Sequence, residues 1–105
     1  MNIEDAQERI WENKVKKGFS LDNVDQEFCL LYGEVAEAYE AHMSGNKRDL
    51  ALELADIVIY VMSIAQMNNI NLQAALEEKM AINERRTYKT VNGKMIKIED
   101  GLDAY

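Results

Sequence analysis

Residues 46–66 read NKRDLALELADIVIYVMSIAQ, and this stretch decides the fold of the 105-residue chain. On a helix built from it, leucine, isoleucine, valine and methionine side chains point in nearly every direction around the axis. A helix that is apolar all round is buried on all sides. Four short helices in one chain can hardly enclose it completely. We therefore expect a homodimer or a dimer of dimers, in which a second chain covers one flank of this helix.

One narrow strip of the same helix is polar. At about 100° per residue its members fall within about 80° of each other on the helical wheel. They are Asp49, Glu53, Asp56, Tyr60 and Ser63. Burying an unpaired carboxylate is costly and forces either a shifted pKa or a partner. The carboxylates of this strip therefore need a partner.

Three further helices are predicted from apolar periodicity and from helix start and stop residues. The first runs from about Ile3 to Lys17, the second from near Asp22 to Met43, and the fourth from Asn71 to about Arg86. The helix that decides the fold is the third. The chain contains no proline that would interrupt any of them.

After Arg86 the pattern changes to two short strands. Residues 87–91 and 94–98 flank Asn92-Gly93, the dipeptide that suits a two-residue type I′ turn, so we predict a β-hairpin. Residues 99–105 form an acidic tail that we expect to be loose. The prediction is one all-α domain over residues 1–105, with a helical bundle at residues 1–86 and a small C-terminal hairpin.

Composition limits the partners. The formal charge of −7 repels a nucleic-acid backbone, and no stripe of lysine or arginine offsets it. We see no uninterrupted apolar run of about eighteen residues and no leader, so we expect a cytoplasmic protein that does not enter a membrane. Cys29 is the only cysteine, which excludes an internal disulfide and a thiolate metal cage.

The second helix carries Glu34 and Glu37 three residues apart. We expect them along the edge of an apolar stripe formed by Val24, Phe28, Leu31, Val35 and Tyr39. If the second and third helices are antiparallel neighbours, these two glutamates meet Glu53 and Asp56. Four carboxylates repel one another and require cations, and ligands that are all oxygen favour Mg²⁺ or Mn²⁺.

A solvated acidic face with ordinary salt bridges is the alternative to a metal site. This alternative suits Glu34 and Glu37, because such residues are common on an exposed helix. It suits Glu53 and Asp56 poorly, because the rest of their helix is apolar.

Cationic side chains offer a second set of candidates. Lys79, Asn83 and Arg86 share one face of the fourth helix, and two cations around an amide suit a phosphate chain. They could equally complement the dipole at the end of that helix. Lys14 and Lys17 either point inward from the first helix or extend to solvent from its end.

These segments together resemble the MazG-like, all-α nucleoside triphosphate pyrophosphohydrolases. The matching elements are Glu-Val-Ala-Glu at residues 34–37, Glu-Leu-Ala-Asp at residues 53–56, and the set Lys79, Asn83, Arg86 and Tyr88. The resemblance covers about residues 10–88 and leaves the hairpin aside. It implies an oligomeric four-helix bundle and Mg²⁺-dependent hydrolysis of a ribo- or deoxyribonucleoside triphosphate to the monophosphate and pyrophosphate, which would control the nucleotide pool.

The resemblance also implies roles for individual residues. The metal ligands would be Glu34, Glu37, Glu53 and Asp56, and Glu34 or Glu37 would orient the attacking water. The triphosphate would contact Lys79, Asn83 and Arg86, and the nucleotide would lie near Trp11, Lys14, Lys17 and Tyr88. The family often has another glutamate just before the first motif carboxylate, where this chain has Gly33. The number of metal ions therefore stays open, as do the preferred base and sugar.

The two alternatives to this enzyme are a non-catalytic scaffold and a di-iron carboxylate bundle. A non-catalytic oligomeric scaffold would keep the fold without turnover; the intact carboxylate motifs argue against it, and Gly33 gives it slight support. A di-iron carboxylate bundle needs Glu-x-x-His pairs. His42 is the only histidine, which excludes that bundle.

Overall fold

The computed structural model describes residues 1–98. The predicted acidic tail, residues 99–105, lies outside the described residues. Within them the chain forms four helices and one antiparallel hairpin: α1 (Ile3–Lys17), α2 (Val24–Met43), α3 (Lys47–Met67), α4 (Leu72–Arg85), β1 (Thr87–Val91) and β2 (Lys94–Ile98). The prediction of an all-α fold with a C-terminal hairpin is confirmed.

Asparagine side chains cap the first three helices. Each side-chain oxygen accepts a hydrogen bond from the backbone N–H three residues later, which satisfies one of the donors that the first turn leaves open. The caps are Asn2, Asn23 and Asn46, with bonds of 2.8, 3.1 and 3.0 Å. Asn23 therefore caps α2, one residue after the predicted start near Asp22. The Asp22 carboxylate accepts a hydrogen bond from the Ser20 hydroxyl instead.

The chain divides into two compact units, Met1–Gln73 and Ala74–Tyr105. In the first unit, α3 packs against both α2 and α1. The link between α2 and α3 is short, and Gly45 takes a φ of 72° in it. A turn this short makes the two helices antiparallel neighbours, as expected from the sequence. The second unit holds most of α4 and the hairpin.

The face that α2 buries is not its predicted apolar stripe. The buried or half-buried face recurs at spacings of three and four residues: Glu27, Leu31, Glu34, Ala38 and Ala41. Val35 and Tyr39 of the predicted stripe are 49% and 63% exposed. Small alanine side chains allow two helices to approach closely, so the alanine and carboxylate face meets α3. Glu34 consequently lies within the packed face rather than at its edge.

The third helix also packs polar side chains and leaves some of its apolar side chains exposed. Its polar strip is packed beyond the first turn: Ser63 is buried, Glu53, Asp56 and Tyr60 are half-buried, and Asp49 is exposed. Four of its larger apolar side chains are between 41% and 50% exposed, namely Leu52, Leu54, Val58 and Ile59, whereas Met62 is buried. In the described part of the chain, no large side chain is fully buried. A single chain therefore leaves much of the apolar surface of α3 uncovered.

Length and composition alone would allow α3 to cross a membrane, and it is the one helix among residues 1–98 of which this is true. The central helix of a soluble bundle satisfies the same criteria. Its two inner carboxylates, Glu53 and Asp56, face protein rather than lipid, since both are half-buried within the unit.

The hairpin matches its prediction in register. β1 pairs antiparallel with β2, with Val91 opposite Lys94 and Thr87 opposite Ile98. Asn92 and Gly93 connect the strands with φ angles of 53° and 78°. Positive φ at both central residues is what a type I′ turn requires, and asparagine and glycine tolerate it best.

Candidate functional site: a carboxylate cluster and its cavity

Three carboxylates converge where α2 faces α3. One oxygen from each of Glu34, Glu37 and Glu53 lies within 4.8 Å of the other two. Glu34 and Glu37 share a helix face because they are three residues apart, and Glu53 stands opposite them on the antiparallel neighbour. Oxygens around one Mg²⁺ lie about 2.1 Å from the ion, so ligands on opposite sides are about 4.2 Å apart. The limit of 4.8 Å is wider than this by a few tenths of an ångström, so a small side-chain adjustment would let the three oxygens share one such ion.

Two oxygens of the cluster are buried without a donor. The Oε2 atoms of Glu34 and Glu53 receive no hydrogen bond from the rest of residues 1–98. A hydrogen bond to Glu53 is the largest of the effects that raise the pKa of Glu34 to about 7, followed by burial and by the charges of Glu37, Asp56 and Glu53. A proton on Glu34 thus relieves the repulsion that a cation would otherwise relieve.

Asp56 lies beside the converging group. Its oxygens are not among the three that come within 4.8 Å of one another. Its negative charge nevertheless contributes to the raised pKa of Glu34. The structure therefore brings three of the four predicted ligands together and keeps the fourth within electrostatic reach. Their role as metal ligands stays a prediction.

A cavity of about 1050 Å³ lies inside the first unit, with residues of α1, α2 and α3 in its wall. Tyr60 lies in its wall. Burial raises the pKa of its phenol, and so do the charges of nearby carboxylates, which are Glu34, Glu27, Asp56 and Glu37. Tyr60 is therefore also close to the carboxylate cluster. Tyr60 therefore connects the cavity with the cluster. Ser63, one turn further along α3, lines the cavity as well.

A buried ion pair forms part of the cavity wall. Lys14 Nζ donates to Glu27 Oε1 at 2.6 Å, and the two side chains are only 11% and 4% exposed. The ammonium also lies 5.9 Å from the centre of the Phe19 ring, within reach of a cation–π contact. Glu27 was not among the site residues predicted from the sequence. Its position seven residues before Glu34, on the same helix face, was the available signal.

The other two predicted residues of α1 lie elsewhere. Trp11 is half-buried and lines a separate cleft of about 630 Å³, whose rim is acidic with Glu4, Glu8 and Glu12. Lys17 is exposed near the end of α1. Lys14 alone among the three lies in the wall of the cavity beside Tyr60.

The remaining predicted residues belong to the second unit. Arg86 Nη1 donates to Asn83 Oδ1 at 3.2 Å, so these two are already joined. Lys79 and Asn83 are exposed, and Arg86 is half-buried. Tyr88 lies on β1 opposite Lys97 and is 46% exposed. Their contact with a triphosphate stays a prediction.

The comparison with protein families gives a match over most of the chain. The family model of the MazG nucleotide pyrophosphohydrolase domain matches residues 26–91, which is more than half of the 105 residues. The matched segment contains all four motif carboxylates, starts after Trp11, Lys14 and Lys17, and extends through β1, beyond the limit that the motifs suggested. No curated protein and no solved structure matches the chain. The chain belongs to the family of the MazG nucleotide pyrophosphohydrolase domain.

Proposed function

We propose that this protein is a Mg²⁺-dependent nucleoside triphosphate pyrophosphohydrolase, which converts a (d)NTP and water into the (d)NMP and pyrophosphate. One observation carries the proposal beyond family membership. Glu34, Glu37 and Glu53 converge, and the Oε2 atoms of Glu34 and Glu53 are buried without donors from the rest of the described chain. Anionic oxygens left in that state are completed by a cation.

The cluster fits a hard divalent metal, because all its ligand atoms are carboxylate oxygens. Glu34, Glu37 and Glu53 would hold Mg²⁺, or Mn²⁺ in its place, with Asp56 as the fourth carboxylate. The ion would supply positive charge to the phosphate oxygens and lower the pKa of a bound water. Gly33 leaves open how many ions the carboxylates hold.

Side chains of this protein would orient the attacking water and bind the triphosphate. Glu37 is exposed, so its carboxylate can reach the attacking water and orient it, and Glu34 is the alternative for this role. Lys79, Asn83 and Arg86 would bind the triphosphate and stabilise the departing pyrophosphate, with arginine as a fork and lysine as a point charge. This division needs no nucleophilic side chain, in keeping with phosphoryl transfer to water.

We propose that the active form is a homodimer or a dimer of dimers in the cytoplasm, without a nucleic-acid or membrane partner. The support for oligomers is the apolar surface that a single chain leaves uncovered on α3, where Leu52 and Leu54 are each 50% exposed. Exposed apolar side chains that adjoin one another, as Leu54 and Val58 do one turn apart, are typical of a protein interface. The charge of −7 supports the exclusion of nucleic acid.

Phosphate release, coupled to an added inorganic pyrophosphatase, tests the activity over a panel of ribo- and deoxyribonucleoside triphosphates. We expect release with Mg²⁺, none with EDTA, and none when the pyrophosphatase is left out, because the product is pyrophosphate rather than phosphate. Absence of turnover on every substrate would overturn the proposal and favour a non-catalytic scaffold that keeps the fold.

A further inference from the structure

We propose that the hairpin of one molecule docks through one of its two faces on the first unit of a second copy, in the cleft beside Trp11. The contact would reinforce an association that the apolar surface of α3 makes first. This inference rests on the oligomer proposed above and not on the hydrolysis. It assigns a partner to a face of the hairpin that has no role in the proposed mechanism.

The hairpin is basic in a chain that is otherwise acidic. Residues 85–98 contain no acidic residue and five basic ones, namely Arg85, Arg86, Lys89, Lys94 and Lys97. The whole chain nevertheless has a formal charge of −7, so the rest of it is strongly acidic, and most of its carboxylates lie before residue 85. Surfaces of opposite charge attract each other and fix the orientation in which they meet. A second copy therefore supplies an acidic surface that complements the hairpin.

One face of the hairpin combines this positive charge with apolar side chains. Residues directly opposite each other in antiparallel strands lie on the same face. Three such pairs form what we call the Ile96 face: Thr87 with Ile98, Lys89 with Ile96, and Val91 with Lys94. Val91, Ile96 and Ile98 are all exposed in the single chain. Because a two-stranded hairpin is marginally stable by itself, its apolar face needs a further layer to pack against.

The cleft beside Trp11 presents the opposite charge. Glu4, Glu8 and Glu12 follow one another at four-residue steps along α1, and all three are exposed and line the cleft. Trp11 and Ile70 line it too, and Ile70 is exposed. The cleft therefore combines a row of carboxylates with apolar side chains, as the Ile96 face combines lysines with apolar side chains.

The spacing of the charges agrees on the two surfaces. Neighbouring glutamates of the row are about 6 Å apart along the axis of α1. Lys94 is paired with Val91, two residues beyond Lys89, so the two lysines are about 7 Å apart along the strands. Each lysine can therefore reach a different glutamate while the Ile96 face covers the apolar side chains of the cleft.

This contact is too small to hold two copies together by itself. Five residues of a strand span about 17 Å, and two paired strands are about 10 Å wide. The face is thus far smaller than the roughly 800 Å² that each partner buries in a stable interface. Copies that already associate through α3 raise the effective concentration of the hairpin near the cleft. We therefore expect the hairpin to dock only in the oligomer.

Disulfide cross-linking between two different copies tests the contact directly. Cys29 is the only cysteine, so Cys29→Ser removes the competing thiol. In that background one tagged full chain carries Ile70→Cys in the cleft and an untagged one carries Ile96→Cys. After the two proteins have exchanged subunits and been oxidised, we expect a disulfide-linked product of a tagged and an untagged chain.

Met95→Cys in place of Ile96→Cys is the matched control for the cross-link. Met95 is paired with Thr90 on the opposite face of the hairpin, so we expect about tenfold less product. Equal yields from the two positions would overturn the inference. Light scattering separates this failure from that of the oligomer: an oligomeric wild type with equal yields overturns only the docking, whereas a monomeric wild type overturns both. The phosphate-release assay decides the hydrolysis independently.

Trp11 gives a second measurement, because it is the only tryptophan and lies in the cleft. Acrylamide, an uncharged quencher, measures how accessible its indole is. We expect Lys89→Glu/Lys94→Glu to raise the quenching constant about twofold, because the reversed charges repel the hairpin from the row of glutamates. Reversing the row as well, with Glu8→Lys/Glu12→Lys, should restore the wild-type value.

Lys47→Glu/Arg48→Glu is the matched control for the charge reversal. It changes the net charge by the same amount at two exposed positions at the start of α3, so its quenching should equal that of the wild type. Circular dichroism checks that every variant keeps its helices. Equal quenching in the wild type and in Lys89→Glu/Lys94→Glu, or no recovery in the combined variant, would overturn the docking of the Ile96 face in this cleft.

Discussion

The carboxyl group of Glu34 on α2 hydrogen-bonds that of Glu53 on α3, and this contact is the main cause of a Glu34 pKa of about 7. Two carboxylates from neighbouring helices cannot come this close while both are ionised, unless a proton or a cation lies between them. The metal-free protein therefore holds a proton near the position where we propose that Mg²⁺ binds. Four predictions follow from this cluster, the adjoining ion pair and the uncovered face of α3.

The stability of the metal-free protein should fall as pH rises through the titration of Glu34. Its pKa is about 7 in the folded state, against an ordinary value of 4.5 for a glutamate side chain. Between these values the folded state binds more protons than the unfolded state, so the free energy of unfolding decreases with pH in this window and levels off above it. Urea denaturation in EDTA at several pH values measures this slope.

Glu34→Gln is the control for that measurement, because its amide cannot titrate. We expect the decrease between pH 4.5 and 7 to become shallower in the variant. A slope as steep as that of the wild type would mean that another group is responsible.

Replacing Asp56 with asparagine should abolish turnover and weaken the thermal stabilisation by Mg²⁺. The change removes one negative charge from the cluster while keeping the size of the side chain. Removing a group that only supports a metal ligand costs a factor of about 10 to 100 in metal affinity or activity, so removing a ligand carboxylate should cost more than this. Differential scanning fluorimetry with increasing Mg²⁺, together with the phosphate-release assay, measures both effects.

Asp49→Asn is the matched control for Asp56→Asn. Asp49 lies on the same helix but is exposed, and it accepts a hydrogen bond from Asn46 Nδ2 at the start of α3. We expect its Mg²⁺ response to equal that of the wild type. Full activity in Asp56→Asn would contradict the assignment of Asp56 to the metal centre.

Breaking the ion pair between Lys14 and Glu27 should destabilise the fold strongly. In Lys14→Met the Glu27 carboxylate stays buried without its cation, and removing one partner of a buried pair costs about 3–5 kcal/mol. The double variant Lys14→Met/Glu27→Leu removes both charges, so it should recover most of this loss. Chemical denaturation of the two variants tests the pair; a single variant as stable as the double one would show that the carboxylate is not left uncompensated.

A charge on the uncovered face of α3 should dissociate the oligomer. Leu52 is 50% exposed in the single chain, and lysine in its place would carry an ammonium into an apolar interface. We expect Leu52→Lys to run as a monomer in size-exclusion chromatography with light scattering, where the wild type runs as a dimer or tetramer. Met95→Lys, at a 67% exposed position on the hairpin, should keep the wild-type mass. An unchanged mass for Leu52→Lys would place the interface elsewhere.

Local signals in the sequence predicted the elements well. Asn46 and Asn71 marked the starts of α3 and α4 to within one residue, and Asn92-Gly93 marked the hairpin turn. These features act over a few residues, through a side-chain cap or a positive φ, so no knowledge of the remaining chain is needed. The predicted cap of α2 was one residue too early, because Asp22 and Asn23 are adjacent and both residue types cap helices equally well.

The carboxylates of α3 were also readable from the sequence alone. Glu53 and Asp56 stand out because the helix around them is apolar, and the burial cost of a charge is a property of the residue itself. The spacing of Glu34 and Glu37 then supplied facing partners.

Only the tertiary structure decided which faces meet. The sequence suggested that α2 would pack through its large apolar side chains, whereas it packs through Ala38, Ala41 and its carboxylates. Helical periodicity ranks faces by hydrophobicity, but the contact also depends on how closely two backbones can approach. The Lys14–Glu27 ion pair joins α1 to α2, and the Ser63 hydroxyl of α3 is buried once the helices pack. The ion pair joins residues on different helices, so no local sequence pattern predicts it. The cavity that Lys14, Glu27 and Ser63 line exists only once the helices are packed.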